Sequence, residues 1–227
     1  MPLKILAIDT STDACSAAVL YGEQVYEQFQ VAPRQHNELI LPMIEKVLAE
    51  AGLTKTQLDA VAFGRGPGSF TGLRIAAGVV QGIAFGLELP VVPVSTLQAL
   101  AQGTYHEKKY DQVMAAIDAR INEIYWATYH LDGQYMQPVT AEQAAAPSDV
   151  AFTHPGEWVG VGNGWDKHHA ILEKKIHLQS WLPNRYPRAQ DIALLAAHDF
   201  QQKKFVSATE ALPVYVQDQV VKEKPNG

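Results

Sequence analysis

Residues 61–74 read Val61-Ala62-Phe63-Gly64-Arg65-Gly66-Pro67-Gly68-Ser69-Phe70-Thr71-Gly72-Leu73-Arg74, which predicts a short apolar strand that turns through glycines into a helix. Glycines at 64, 66 and 68 let backbone amides crowd together in conformations that a Cβ atom would forbid. The helix that follows offers unpaired N–H groups and the positive end of its dipole. Two interpretations remain open: a candidate anion-binding loop formed by Gly66, Gly68 and Ser69, or a tight turn that holds no ligand. No Gly-Lys-Ser or Gly-Lys-Thr ends the loop, so a Walker-type nucleotide site is not indicated.

The composition is that of a globular chain without an overall positive charge that would attract phosphates. The 227 residues, 47% of them hydrophobic, suffice for one large domain or two small lobes. A net charge of −6 disfavours tight RNA binding by this chain alone, so we expect tRNA contact only through a more basic partner. The single cysteine, Cys15, lies in an apolar strand and is predicted to be a buried small residue rather than a nucleophile.

The expected location is the cytoplasm, with no membrane contact. The amino-terminal residues lack the layout of a signal peptide. No apolar run is predicted to reach the length of about 18 residues that a membrane span needs.

The two halves of the chain repeat one order of elements. In each half, three meandering strands come first, and a strand that ends in a glycine loop before a helix comes later. Ala116-Ile117-Asp118 also echoes Ala7-Ile8-Asp9. Repetition at this scale predicts duplicated α/β lobes, residues 1–103 and a smaller lobe at 104–227, with a disordered tail from about 220. The meandering strands are predicted at 3–9, 14–21 and 24–30, and again at 112–118, 123–130 and 134–138.

Helices are predicted between these strands. The clearest span 35–51, 71–87 and 189–203, and a short one is opened by Ser95 or Thr96 as its N-cap. Pro42 predicts either a kink in the first helix or a start near Leu41. The charged segment 103–111 is predicted to cross between the lobes.

Two of these helices have faces that indicate a partner. The apolar residues of the first helix spread over roughly 160 degrees, more than one sheet is expected to cover. The second helix places glycines four residues apart, which makes a smooth groove for another helix. The covering element is either another subunit or a part of the same lobe. Arg74 either reaches an anion or a partner carboxylate, or remains solvated. The predicted interface consists of Ile40, Met43, Ile44, Val47, Arg74, Gly78, Gly82 and Gly86.

Four segments together resemble the TsaB family, also called YeaZ. They are Ile5-Leu6-Ala7-Ile8-Asp9-Thr10-Ser11-Thr12, Gly66-Pro67-Gly68-Ser69-Phe70-Thr71-Gly72-Leu73-Arg74, Pro93-Val94-Ser95-Thr96-Leu97, and Asp118-Ala119-Arg120 with Glu123-Ile124-Tyr125. The resemblance covers nearly all of the first half. It implies the α/β, actin-like and hexokinase-like (ASKHA) fold of two duplicated lobes, with the second lobe reduced.

The resemblance also implies a role in making N6-threonylcarbamoyladenosine in tRNA, next to the anticodon. In that family the protein is the non-catalytic partner of TsaD, and the ATPase TsaE joins them, while TsaC supplies threonylcarbamoyl adenylate. A heterodimer with TsaD, a homodimer when alone, and ATP or ADP at the complex interface are therefore expected. The chain alone is expected to bind no cofactor tightly.

The segment Val94-Ser95-Thr96-Leu97-Gln98-Ala99-Leu100 departs from the catalytic relative, which has Val-Asn-His-Leu-Glu-Gly-His there. Thr96 and Leu100 replace the two metal-binding histidines, and their side chains cannot serve as imidazole ligands. We therefore expect neither a metal nor a catalytic residue. Asp9 is followed by Thr10 rather than by the usual phosphate-loop glycine, so it is expected to cap its own turn or, less favoured, to bind magnesium.

Asp118, Arg120 and Glu123 gather at the equivalent hairpin of the second half. They are expected either to line the cleft between the lobes or to form a local salt bridge. An alternative function is an actin-like kinase or ATPase with its own nucleotide site, against which the altered Asp9 hairpin argues. Proteolysis is a weaker alternative, because no nucleophile and base pattern is evident.

Overall fold

A computed structural model describes residues 2–176 and 178–216, which fold around two β-sheets. The first sheet has five strands in the order β3-β2-β1-β4-β5. The β1–β2 and β2–β3 pairs are antiparallel, whereas β1–β4 and β4–β5 are parallel. Its strands are β1 (Lys4–Asp9), β2 (Ala14–Tyr21), β3 (Gln24–Val31), β4 (Ala60–Gly66) and β5 (Val91–Ser95).

The second sheet repeats this arrangement, with the order β8-β7-β6-β10-β11 and β9 also paired to β7. In both sheets the first three strands form an antiparallel meander, and the next two are added in parallel on the other side. The shared order supports the predicted duplication. The strands are β6 (Gln112–Arg120), β7 (Glu123–Asp132), β8 (Tyr135–Pro138), β9 (Gln143–Ala145), β10 (Val159–Val161) and β11 (Ser180–Leu182).

Helices cover both faces of the first sheet because its central strands are apolar on both sides. Leu6 and Ile8 of β1 pack with the helices α1 and α2, while Ile5 and Ala7 point to the opposite face and pack with α5. The helices are α1 (His36–Glu50), α2 (Phe70–Leu87), α3 (Thr96–Lys108), α4 (Asn163–Lys175) and α5 (Ala189–Gln201).

The same alternation organises the second sheet. Val113 and Ala115 of β6 pack with α3, whereas Met114 and Ala116 pack with α4. Helix α3 also contacts β4 and α5, so it lies between the two sheets and joins the lobes.

Three details differ from the sequence predictions. Helix α3 continues to Lys108, so the connection between the sheets is the short segment before Gln112. Helix α1 begins at His36, and Pro42 lies inside it rather than at its start. Helix α5 belongs to the second half of the sequence but packs on β1 and β2 of the first sheet. The predicted disordered tail from about 220 lies outside the described residues.

Helix α2 is longer and more apolar than the sequence analysis allowed. Its 18 residues have a mean hydropathy of 1.4, which by length and composition alone would suffice to cross a membrane. However, Leu73, Ala76 and Val80 are buried in the core of the first lobe, where α2 packs on β4. Packing on the sheet therefore explains the apolar residues on the buried side of α2, which is 33% of the helix, and not those on its exposed side.

Candidate functional site

The turn between β4 and α2 needs glycine because neighbouring backbone approaches it closely. A Cβ atom at Gly72 would lie 1.9 Å from the carbonyl oxygen of Thr10. Gly66 has a φ of +111°, and its Cβ would lie 2.6 Å from the carbonyl oxygen of Val214. Both positions are set by packing between segments that are distant in the sequence.

The candidate anion-binding loop is closed by contacts within the chain. The amide of Ser69 donates to the carbonyl oxygen of Ser11 at 2.7 Å, and the amide of Gly66 donates to Thr96 Oγ1 at 3.2 Å. Gly68 packs against the same Ser11 carbonyl. Two of the three predicted donors are thus already used, which favours the tight turn, while anion binding at Gly66, Gly68 and Ser69 stays a prediction.

Asp9 ends β1 and is completely buried. Its Oδ1 accepts hydrogen bonds from the amide of Ser11 at 3.1 Å and from Ser11 Oγ at 2.8 Å, so it caps its own turn, as predicted. Its Oδ2 has no partner among the described residues and lies against Gly64. Burial raises the pKa of Asp9 from its ordinary value of 3.8 to about 6, although the Ser11 hydrogen bonds act in the opposite direction.

Asp9 therefore lowers stability as the pH rises. The folded chain binds the proton of Asp9 more tightly than the unfolded chain does. The contribution of Asp9 to the free energy of unfolding therefore falls between about pH 4 and pH 6 and stays low above that range. We expect Asp9→Asn, which keeps the acceptor for Ser11, to raise the free energy of unfolding at neutral pH by roughly 1 to 3 kcal/mol. Urea unfolding at about pH 4 and pH 7 measures the change, with exposed Asp13→Asn as control. A gain that is equal at both pH values would contradict this origin.

The second-lobe hairpin faces the equivalent first-lobe turns across a small cleft of about 280 Å³. Asp118 and Arg120 line this cleft, but Asp118 also pairs with Lys167 of α4 at 3.0 Å. Asp118 and Arg120 thus line the cleft, and the ion pair of Asp118 is formed with α4 rather than within the hairpin cluster. Glu123 forms no ion pair within the described residues, and it contributes with burial to raising the pKa of Tyr125.

Thr96 and Leu100, which stand where the catalytic relative has histidines, make contacts inside this chain. Thr96 is fully buried at the start of α3 and accepts the hydrogen bond from Gly66 described above. Leu100 packs in the core between α3 and the second sheet. Among the described residues, no group of three or more His, Cys, Asp or Glu side chains is arranged to hold a metal ion.

The predicted contribution of α1 to a partner interface is wrong. Ile40, Met43, Ile44 and Val47 lie in the hydrophobic core of the first lobe, and none is more than 8% exposed. The wide apolar stripe of α1 is covered by the sheet, by α2 and by the loop that follows α1. These four side chains are therefore not accessible to a partner.

Helix α2, by contrast, leaves one side open. Gly78, Gly82 and Gly86 are exposed, and a Cβ atom at any of them would meet nothing within 4 Å in the described chain. Phe85, between them, is 76% exposed. We call Gly78, Gly82, Phe85 and Gly86 the α2 face. It offers an apolar groove next to an aromatic side chain, which is the geometry that another helix fits.

The described part of the carboxy-terminal segment, up to residue 216, runs beside the α2 face without covering it. Gln81 Nε2 donates to the carbonyl oxygen of Ala211 at 3.1 Å. Further along, Arg74 stacks on Phe70, with its guanidinium carbon 3.5 Å from the ring centroid, and lies 5.9 Å from the Tyr215 ring. Arg74 is thus held by aromatic rings at the edge of the open surface.

Comparisons with known proteins match nearly the whole chain. The sequence model of the family described as TsaD, tRNA N6-adenosine threonylcarbamoyltransferase, matches residues 21–223. The tRNA threonylcarbamoyladenosine biosynthesis protein TsaB of Escherichia coli is 38% identical over 229 residues, which cover 99% of each chain. The protein of the same name from Haemophilus influenzae is 39% identical, covering 99% of this chain and 98% of its own. The solved structure of YeaZ from Pseudomonas aeruginosa is 41% identical with a TM-score of 0.91, over 94% of this chain and 100% of that chain.

Proposed function

The chain belongs to the TsaB (YeaZ) family, and on that basis we propose that it is a non-catalytic subunit required to form N6-threonylcarbamoyladenosine in tRNA, next to the anticodon. In this role it binds and activates TsaD together with TsaE. It acts as an accessory subunit rather than as an enzyme.

The fold is the α/β actin-like fold of two duplicated lobes with a reduced second lobe. The parallel strands β10 and β11 have three residues each, whereas their first-lobe equivalents β4 and β5 have seven and five. The parallel part of the second sheet is therefore shorter than that of the first.

The open α2 face is the observation that carries the proposed docking. Exposed glycines at helical spacing destabilise an isolated helix by about 0.5 to 1 kcal/mol each relative to alanine. Contact with a helix of TsaD would offset this cost, because the missing side chains let two helix backbones approach closely. The same face would pair two copies of the chain, since a two-fold interface hides the same apolar surface on both. A homodimer is therefore the proposed form when TsaD is absent.

The assignment as an accessory subunit is supported by the contacts of the residues at which related proteins bind a metal or a nucleotide. Thr96 and Leu100 are used for a hydrogen bond and for core packing. Asp9 Oδ1 caps its own turn, and the amide of Ser69 donates to Ser11 in that same turn after β1. Apart from Asp9 Oδ2, which has no partner among the described residues, these groups are engaged inside the chain, which weighs against the kinase or ATPase alternative.

The proposed setting is the cytoplasm, where tRNA contacts the complex rather than this chain, because a net charge of −6 does not attract phosphates. The chain alone binds no cofactor tightly, and ATP or ADP binds where the subunits meet. Activation of TsaD then requires that the chain bind the active conformation of TsaD more tightly than the inactive one.

Reconstitution tests this function. TsaD, TsaE, tRNA and threonylcarbamoyl adenylate are combined with and without the full chain, and modified adenosine is quantified by mass spectrometry. We expect modification to fall to the level of the no-enzyme control when the chain is left out. Equal modification in both reactions would refute the proposal, and magnesium-ATP turnover by the chain alone would favour the kinase alternative.

A further inference from the structure

A cavity of about 840 Å³ lies between the lobes; it does not include the α2 face, and it shares only Tyr215 with the Asp118 cleft. Arg65 and Ser95 form its first-lobe wall, at the carboxyl ends of the parallel strands β4 and β5. Tyr129 and Glu142 form its second-lobe wall, and residues 214–216 close one side. The carboxyl ends of parallel strands are where α/β sheets commonly bind small ligands.

One positive and one negative charge meet inside this cavity. The two guanidinium nitrogens Nη1 and Nη2 of Arg65 lie 3.1 and 3.2 Å from the two carboxylate oxygens of Glu142. Ser95 Oγ also donates to Glu142. The side chains of Arg65 and Glu142 are only 25% and 15% exposed, so the pair is largely shielded from solvent but open to the cavity.

Both charged groups keep hydrogen-bonding capacity toward the cavity. A guanidinium has five N–H donors, and the described residues accept from only two of its nitrogens. A carboxylate has about four acceptor sites, of which Arg65 and Ser95 use three. A ligand can therefore bind without breaking the existing ion pair.

The charge balance selects the ligand class. A polyphosphate needs several cations, and only Arg65 is available among the lining residues. A simple amine or a simple carboxylate would add one uncompensated charge to a partly desolvated site. A molecule with one ammonium and one carboxylate close together matches both groups. Its carboxylate pairs with Arg65 and its ammonium with Glu142, so the site gains no net charge.

We propose that this cavity binds a free α-amino acid, with its carboxylate against Arg65 and its ammonium against Glu142. The volume leaves room for an amino-acid side chain beside the hydroxyls of Ser95 and Tyr129, whose oxygens are 3.4 Å apart. The site uses the isolated chain only and does not depend on the role with TsaD.

The test is an NMR titration of the full, isotope-labelled chain with single amino acids, each followed to about 10 mM, a range that detects dissociation constants near 1 mM. At least one amino acid should shift the amide signals of Arg65, Ser95 and Gln143. Its N-acetyl form lacks the ammonium and its amide form lacks the carboxylate. Each should bind at least about tenfold more weakly, which corresponds to about 1.4 kcal/mol.

The double variant Arg65→Gln/Glu142→Gln keeps an uncharged hydrogen-bonded pair in place of the ion pair, so that the lobes stay joined while the charges are lost. It should bind the amino acid at least about tenfold more weakly, whereas exposed Glu38→Gln should leave affinity unchanged. Spectra with unaltered dispersion outside the cavity confirm that the variant is folded. The proposal is overturned if no amino acid shifts these signals, or if the double variant or the blocked amino acids bind as well as the originals.

Discussion

Replacing Gly72 with alanine should destabilise the fold by about 3 kcal/mol or more, although the added group is a single methyl. The new Cβ would lie 1.9 Å from the carbonyl oxygen of Thr10, and backbone atoms on both sides cannot rotate away as a flexible side chain would. Helix α2 would have to separate from the turn after β1. That movement breaks the hydrogen bond from Thr10 Oγ1 to the carbonyl oxygen of Gly72, which is 2.7 Å long and buried.

The matched control is Gly78→Ala in the same helix. Nothing in the described chain lies within 4 Å of its Cβ position, so at concentrations where the chain is monomeric we expect this variant to gain about 0.5 to 1 kcal/mol from the higher helix propensity of alanine. Urea unfolding of both variants, followed by circular dichroism, measures the difference. Equal stabilities would mean that the close contact at Gly72 does not exist in solution.

Replacing Gly82 with leucine should leave the isolated chain folded and weaken TsaD binding by roughly a hundredfold, equivalent to about 2.7 kcal/mol. The position is exposed and its Cβ direction is open, so the chain itself accommodates the larger side chain. A helix that packs closely against the glycines would meet four new heavy atoms and would be pushed away from the α2 face. Modification of tRNA in the reconstituted reaction should decrease in parallel at subsaturating chain concentrations.

Lys174→Leu provides the control for added hydrophobicity, because Lys174 is exposed on α4 in the second lobe. Analytical ultracentrifugation with and without TsaD separates homodimer, heterodimer and monomer. If Gly82→Leu and Lys174→Leu bind TsaD with the same affinity as the original chain, the partner uses another surface.

The sequence predicted the strands well where local signals agree. The bounds of β2 match the predicted 14–21, because a short, mostly apolar run is followed by a glycine turn. The strands β9 and β11 were not predicted, since each has only three residues and exists through pairing with β7 or β10. Such strands have no period to detect in the sequence.

An apolar pattern in a helix does not specify which part of the molecule, or which partner, covers it. The sequence indicates that Ile44 and Val47 require cover, but not whether the cover belongs to the same chain, and here it does. The role of the α2 glycines in an interface stays a prediction, since their cost to the helix has no compensation within the described chain. At Asp9 the turn was predictable from its residue type, whereas the raised pKa depends on complete burial by segments distant in sequence.

Helix α5 has a consequence for how the chain is made. It closes one face of the first sheet, yet it is synthesised after every strand of the second sheet. Helix α5 therefore cannot cover this face of the first sheet until the whole second sheet has been synthesised. The residues that it covers there include Ile5, Ala7, Val92 and Val94. In many proteins the amino-terminal unit folds before the next unit is synthesised. The first lobe of this protein cannot complete its fold in that order, because it needs α5. We therefore expect the first lobe to reach its final state only after residues 189–201 have been synthesised.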